Sequence, residues 1–472
     1  MFTRQVLVLA SVLSLVGPSA LHCSLSIAAE ATVLPNASPG TAVLKVSETE
    51  LKELAQGNNR FALALYAKIK DKQDEEGRNL FLSPFSIRTA LCMAYAGARG
   101  ETAAQMKRAL ALTLDDSKLH QAFNDSIRAL NESGQGQYEF AVANSLWAEK
   151  TYPFGESFLE TNRAHYGAGV EFVDFLTASE EARQAINRWV EEKTQRRIAE
   201  LIPPRGVTPA TRLVLANAVY FKGRWAAPFV KKETQMAPFD VLPYRLDRVR
   251  PISNDRLVRV PLMHRTDRFG YASLRLVERP TSQHPMIDAS PEAGMVQVLE
   301  LPYMGGHLSM IVLLPNRHTL LRDLESELSF EKLETACARL EERKVEVFLP
   351  RFRVTWGTED LGPNKLAVLP DLGMPDAFDC KKADFSGMHG KPATSSGLFI
   401  SEVFHKAFAD VNEEGSEAAA STAVVMSFSG MPGPVPVFRA DHPFLFMICE
   451  KRTGAILFMG RMLYPTTRVQ NR

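Results

Sequence analysis

Residues 406–440 read KAFADVNEEGSEAAASTAVVMSFSGMPGPVPVFRA. A β-like stretch ends at Asn412-Glu413-Glu414-Gly415, and a run of small residues follows from Ser416 to Ala423. Read as a strand, Ser416, Ala418, Ala420, Thr422, Val424 and Met426 point to one face, and that face carries neither charge nor proline. Glu417 and Ser421 lie on the other face, where they can stay in water. The stretch therefore suits two states, an exposed loop and a strand slotted into the middle of a sheet. A central strand must donate its backbone N–H groups, which excludes proline. Proline is absent from Phe408 through Met431 and then occurs at Pro432, Pro434 and Pro436, so insertable chain ends near residues 429–431. The same residues also read as an ordinary Ala/Ser-rich surface loop, and taken alone they favour neither reading.

The chain around this stretch is rich in strand signals: LVLANAVYF (213–221), QVLELPY (297–303), SMIVLLP (309–315), VEVFLPRFRV (345–354), PFLFMICE (443–450) and AILFMG (455–460). Helical periodicity starts near Ser47, with Glu50 placed for a capping box. Residues 79–105 begin as a short strand, turn at Ser83-Pro84 and continue as an apolar helix. Residues 185–201 form an amphipathic pattern with Ile186, Trp189, Val190, Ile198 and Leu201 on one side, stopped by Pro203 and Pro204. Helices and strands interleave without βα alternation or repeat, which points to a single α+β domain.

Residues 242–268 and 274–294 read as surface insertions. The first carries Arg245, Arg248, Arg250, Arg256, Arg259, Arg265 and Arg268, a candidate polyanion site interrupted by Asp247, Asp255 and Asp267. A solvated loop is the stronger reading of that pattern. The 472 residues carry a net charge of +1, which calls for neither nucleic acid nor an anionic membrane as partner. No metal-ligand spacing, no G-x-S-x-G elbow and no H-E-x-x-H helix occurs; no metal, cofactor or catalytic residue is expected.

At the N-terminus, Arg4 precedes an apolar run over residues 5–16, too short for a membrane span. Ser26-Ile27-Ala28 resembles a signal-peptidase site. The expectation is a signal peptide over 1–28, a flexible lead-in over 29–46, and a secreted, extracellular, monomeric protein. Cys92, Cys337, Cys380 and Cys449 then remain, read as buried free thiols, with one disulfide left open.

NEEGSEAAASTAVV (412–425) resembles the inhibitory hinge of the serpin family, especially that of antithrombin-like members. DHPFLFMICEKRTGAILFMGRMLYP (441–465) is similar to the family's C-terminal signature, and NLFLSPFSI (79–87), LVLANAVYFKGRW (213–225), LGMPDAF (372–378) and ADFSGM (383–388) fall in the family's order. The resemblance runs over 47–465, leaving 466–472 as a tail. It implies three β-sheets with surrounding helices and an exposed reactive loop over about 415–438. It further implies a hinge made of Glu414, Gly415, Ser416, Glu417, Ala418, Ala419, Ala420, Ser421 and Thr422. Ser83, Ser86, Asn217 and His405 match a polar cluster beneath the point where the central sheet opens, and Trp225 matches the aromatic at its top. The implied activity is suicide-substrate inhibition of a serine protease. Matched by loop length, the scissile bond is Ser429–Gly430, with Phe428–Ser429 as the alternative. No Lys or Arg occurs from Gly415 through Phe438, which points away from trypsin-like targets and toward elastase-like or chymotrypsin-like ones. The rival reading is a non-inhibitory serpin acting as carrier, chaperone or structural protein; such members carry bulky, charged or proline-containing hinges, unlike this one.

Overall fold

The computed structural model describes residues 45–73, 77–134, 137–167, 170–241, 257–278, 291–361, 368–389, 398–415 and 434–465. The leader, most of the lead-in and the C-terminal tail lie outside these residues. Leu44–Arg472 holds together as one unit.

Among the described residues the chain forms helices α1 (Glu48–Gln73), α2 (Pro84–Tyr95), α3 (Gly100–Ala109), α4 (Asp116–Ser133), α5 (Glu156–Tyr166), α6 (Ser179–Lys193), α7 (Leu321–Glu327) and α8 (Phe330–Ala338). The strands are β1 (Leu80–Leu82), β2 (Tyr138–Glu149), β3 (Val170–Val173), β4 (Leu213–Gly223), β5 (Gln235–Asp240), β6 (Leu257–Arg275) and β7 (Met295–Pro302). They continue as β8 (Leu308–Pro315), β9 (Glu341–Pro350), β10 (Phe352–Gly357), β11 (Glu402–Val411), β12 (Val437–Arg439), β13 (Phe444–Glu450) and β14 (Ile456–Met462). The interleaving of helices and strands is α+β.

One sheet has the order β10-β11-β4-β2-β3. The other runs β1-β14-β13-β8-β7-β6-β9-β12, with β5 added on β6. The three sheets implied by the resemblance thus resolve into two hydrogen-bonded sheets. The reason is the length of β6: its first part pairs with β5 and its last part with β7, while β9 follows it from Leu262 to Tyr271. A 19-residue strand bridges what would otherwise be separate sheets.

The same strand corrects the reading of 242–268 as an insertion. Residues 257–268 are ladder, not loop; 242–256 lie outside the described residues. Within 274–294, Leu274 and Arg275 close β6, and the stretch 279–290 is not described. The segment 345–354 is also not one strand. β9 ends at Pro350, which has no N–H to offer, and after Arg351 the chain enters the other sheet as β10. The amphipathic helix stops at Lys193, well before the two prolines. Gln195 and Arg196 have φ of 50° and 62°, a left-handed turn. Ile198 and Leu201 still reach the core because Asn187 holds the returning chain, its Oδ1 accepting from the backbone N–H groups of Leu201 and Ile202 at 3.1 and 2.8 Å.

Every residue of α2 is buried. It lies between the sheets, against β2, β4 and β14. Beside it, Phe81 of β1 stacks on Phe446 and Phe458, and Phe458 meets Phe221 of β4, so an aromatic column ties the sheets together. The four cysteines among the described residues, Cys92, Cys337, Cys380 and Cys449, are free. Cys92 fits the buried-thiol reading, but Cys337 and Cys380 are exposed.

Gly460 sits on β14 where β1 and β13 close in from both sides. A Cβ there would meet the Leu80 carbonyl oxygen at 2.5 Å and the Phe446 ring at 2.9 Å. Gly460→Ala is expected to lower stability by about 1–3 kcal/mol through overpacking, read as a lower denaturant midpoint. An unchanged midpoint would mean the ring column yields.

Candidate functional site

Within the five-stranded sheet, β4 and β11 run parallel, while their outer neighbours β2 and β10 pair with them antiparallel. The parallel register runs from Glu402↔Val214 to Phe408↔Tyr220. It stops there, although β11 continues to Val411 and β4 to Gly223. Above Phe408 the two strands are parted.

His405 and Asn217 are partners in this register, and Asn144 of β2 is the partner of Asn217 on its other side. Three polar side chains therefore line up across three strands. His405 Nδ1 meets Asn217 Oδ1, and Asn217 Nδ2 reaches both Asn144 Oδ1 and Ser86 Oγ. Ser86 Oγ bonds Asn144 Oδ1 at 2.9 Å. Ser83 caps the N-terminus of α2, its Oγ accepting from the Ser86 N–H at 3.2 Å and donating to the Leu457 carbonyl at 2.7 Å. Its backbone N–H donates to His405 Nε2 at 3.2 Å. That last bond fixes the tautomer: Nε2 must be the acceptor, so the neutral ring carries its proton on Nδ1 and donates to Asn217.

The structure brings Ser83, Ser86, Asn217 and His405 together, all fully buried. Asn144 completes the cluster and was not foreseen; β2 was not read as a strand, and a lone Asn in YEFAVANSLWAE carries little signal of its own. Burial drives the His405 imidazole down to about 3, because an imidazolium there would be desolvated without an acid to pair with.

Trp225 lies at the top of the parted strands rather than in the cluster. It is buried and stacks on Tyr303 with ring centroids 4.5 Å apart. Its Nε1 donates to the Asn412 carbonyl at 3.0 Å and its backbone N–H to the Glu414 carbonyl at 3.0 Å. The Phe229 N–H donates to the Glu413 carbonyl at 2.7 Å. The turn after β11 is therefore seated on the chain that leaves β4. Gly415 bridges to Arg224 with φ of 127°, and a Cβ there would meet the Arg224 Cα at 2.6 Å. Only glycine fits this approach. Side chains anchor the same turn: Lys231 pairs with Glu414, the Thr234 hydroxyl donates to Glu413 at 2.9 Å, and Arg353 pairs with Asp410 at 2.5 Å.

Of the hinge, Glu414 and Gly415 are described. Ser416 through Thr422, and the candidate scissile residues Phe428, Ser429 and Gly430, lie outside the described residues. Of the arginine-rich segment, Arg259, Arg265 and Arg268 are described and each is engaged. Arg259 donates to the Met236 carbonyl, Arg265 meets Asp267 and the Pro228 carbonyl, and Arg268 pairs with Glu342.

The serpin (serine protease inhibitor) family model matches residues 56–465. The chain belongs to the serpin family. It is 39% identical to serpin B6 of Pongo abelii over 87% of this chain and 99% of that one. It is 38% identical to the leukocyte elastase inhibitor of Homo sapiens over 88% of this chain and 100% of that one. Among solved structures it resembles uncleaved ovalbumin, with a TM-score of 0.70 and 31% identity over 87% of this serpin and 100% of that chain. Relatives of this kind are protease-inhibiting serpins rather than enzymes, and this chain is an inhibitory serpin. They also correct the expected location. Serpin B6 and leukocyte elastase inhibitor are intracellular serpins that lack signal peptides, so the assignment as a secreted, extracellular protein with a signal does not stand.

The His405 site sets a pH dependence. The folded ring stays neutral down to about 3, whereas an unfolded one takes a proton below its ordinary 6.5. The unfolded chain then binds more protons across that window, so stability is full above about 6.5 and falls as pH drops toward 3, by up to about 1.4 kcal/mol per pH unit. His405→Asn should flatten this slope between pH 7.5 and 5 in urea melts. An unaltered slope would assign the dependence to other groups.

Proposed function

We propose that this serpin traps a serine protease of the elastase or chymotrypsin type, with the chain after Gly415 as bait and the seam between β4 and β11 as the slot that receives it. The observation that carries this reading is the parallel direction of the seam. A chain that leaves β11, turns at Gly415 and comes back down runs antiparallel to both β11 and β4. Its insertion replaces one parallel pairing by two antiparallel ones, which are somewhat more stable per residue. From Ser416 to Ser429 the inserted strand spans roughly 45 Å at ~3.3 Å per residue. The apolar, proline-free face of residues 416–426 suits such a central position.

The sequence of events follows from acyl-transfer chemistry. The protease serine attacks the loop carbonyl and forms an acyl-enzyme, releasing the new amino terminus of the C-terminal fragment. Serpin loops then add to the sheet as a strand. The protease is dragged along, and distortion of its oxyanion hole and triad stalls hydrolysis of the ester. On this reading no residue of the serpin is catalytic, and the uncleaved form is held by a kinetic barrier above its most stable state. Ser83, Ser86, Asn217, His405 and Asn144 hold the seam closed across β2, β4 and β11. A hydrogen-bonded set in a low-dielectric interior can bias such an opening equilibrium. The hinge is Glu414 through Thr422, pivoting on Gly415.

Target choice rests on the loop. It offers no cation from Gly415 through Phe438, and a trypsin-like pocket requires one. The scissile bond is Ser429–Gly430 by loop length, with Phe428–Ser429 as the alternative that presents an aromatic ring. The relative named leukocyte elastase inhibitor supports the same protease class.

Mixing the protein separately with chymotrypsin, pancreatic elastase and trypsin should give a denaturant-resistant complex with the first two. The mass of the released C-terminal fragment names the bond. A stoichiometric trypsin complex would overturn the target class.

The slot itself is tested by Ala418→Arg, which puts a charge on the inserting face. This variant should be cleaved by the same protease at a similar rate, yet form no stable complex and gain no heat stability on cleavage. A variant that still traps its protease would remove residue 418 from the inserted strand.

A further inference from the structure

A cavity of about 270 Å³ opens on the face of the molecule where α1, α4 and the β13–β14 turn meet. Part of its wall is apolar, with Leu51 and Leu54 from α1, Leu130 from α4 and Leu457 from β14, while Ser126, Glu132 and Ser133 of α4 supply a polar edge. Two buried polar side chains break that lining. Asn58, 2% exposed, spends its Nδ2 on the Ile456 carbonyl at 2.8 Å and on Asn59 Oδ1, and its own Oδ1 meets no donor among the described residues. Arg88 of α2, 1% exposed, also lines the cavity.

Arg88 donates Nε to the Leu110 carbonyl at 2.8 Å, Nη1 to the Leu54 carbonyl at 3.0 Å and Nη2 to the Ala111 carbonyl at 3.1 Å. A guanidinium has five N–H groups, so two remain. The three carbonyls hold the side chain in place, and its guanidinium lies 5.4 Å from the centre of the Phe123 ring. None of these partners carries a negative charge. No carboxylate pairs with Arg88 among the described residues, and burial lowers its pKa to about 10. A buried cation without an anion is costly and is ordinarily paired. Arg452 and His307 line it too, as does the exposed Glu132 of α4, which pairs with Arg128 at 3.8 Å. Glu450, beside them, is occupied by the backbone N–H groups of Arg452 and Thr453.

We propose that this cavity binds a small apolar carboxylate, its chain against the leucine walls and its carboxylate on the two remaining N–H groups of Arg88. The site is remote from the seam and the hinge, so it stands or falls independently of the inhibitory mechanism. The volume sits just under the range of sites for drug-sized ligands, which sets the scale at a short alkyl or single-ring acid.

The test is isothermal titration of the full-length protein with octanoate, and with octan-1-ol as the uncharged counterpart. The expected result is saturable one-to-one binding of octanoate, with octanol at least about tenfold weaker, since a hydrogen bond to a charged group contributes more than a neutral one. Arg88→Gln should weaken octanoate by a similar factor and leave octanol unchanged. Ala129→Trp, which fills the cavity from α4 without touching Arg88, should abolish both, and serves if the Arg88 variant does not fold. Equal binding of octanoate and octanol would overturn the anion assignment. No saturable binding of octanoate, or binding unaffected by Ala129→Trp, would overturn the site.

Discussion

The parallel contact between β4 and β11 is the constraint on which the rest of this serpin depends. Parallel neighbours cannot be joined by a hairpin, so each strand takes its antiparallel partner on the outside, β2 for β4 and β10 for β11. The two strands of the seam are therefore far apart in sequence and are fastened to different halves of the chain. Such a join can part without breaking any local connection. It also has room, in hydrogen-bonding terms, for one more strand of opposite direction. An antiparallel seam at the same place would have no such preference.

What fastens the seam is polar, and this has a physical consequence. With apolar side chains at these positions, β4 and β11 would still be joined by their backbone ladder, but no side-chain bonds would reinforce the closed state. The His405–Asn217–Asn144 line with Ser83 and Ser86 behaves otherwise. Each bond has a fixed donor and acceptor, set by the Ser83 N–H pointing at His405 Nε2, and each is desolvated. Parting the strands leaves buried donors and acceptors without partners, each at a cost of about 1–3 kcal/mol until new partners arrive. The closed state is thus well defined, and on the proposed mechanism the barrier is steep and local. The upper end is different in kind. There the strands have already separated, and backbone bonds from Trp225 and Phe229 hold the Glu413–Gly415 turn in the gap. The seam is closed firmly in the middle and already parted at the top, and on the proposed mechanism this lets a loop enter from one end.

Much of this was legible in the sequence, and the reasons are specific. The small-residue face of 416–426 and the return of proline at 432 are read from strand chemistry alone, and those residues lie outside the described ones. The turn at Ser83-Pro84 into an apolar helix is legible too, and the structure adds that Ser83 caps that helix. The apolar strands β4, β8, β13 and β14 announce themselves because both of their faces are buried. The misses have physical causes too. β6 was hidden because it is exposed on one face and rich in arginine, and its arginines are neutralised by Asp267, Glu342 and carbonyl groups that only the fold brings near. The end of α6 was misplaced because Ile198 and Leu201 continue the apolar period after the helix has stopped, held by Asn187 instead of by helical geometry. The cellular location was misread because a short apolar run after a single arginine is a weak pattern, whereas kinship along the whole domain is a strong one.

Gly415 and His405 show how these two kinds of information combine. Gly415 is the last described residue before the loop, and its left-handed φ against Arg224 explains why glycine stands there. The sequence marks it only as a small residue among small residues. His405, conversely, is conspicuous in sequence as a histidine in an apolar strand, yet a satisfied core histidine would look the same. The register places it opposite Asn217 across the parallel pair of β4 and β11. A histidine satisfied anywhere else in the core would stabilise the fold. Placed here, on the proposed mechanism, it stabilises one arrangement of the fold against another, because its partners sit on strands that the arrangement separates.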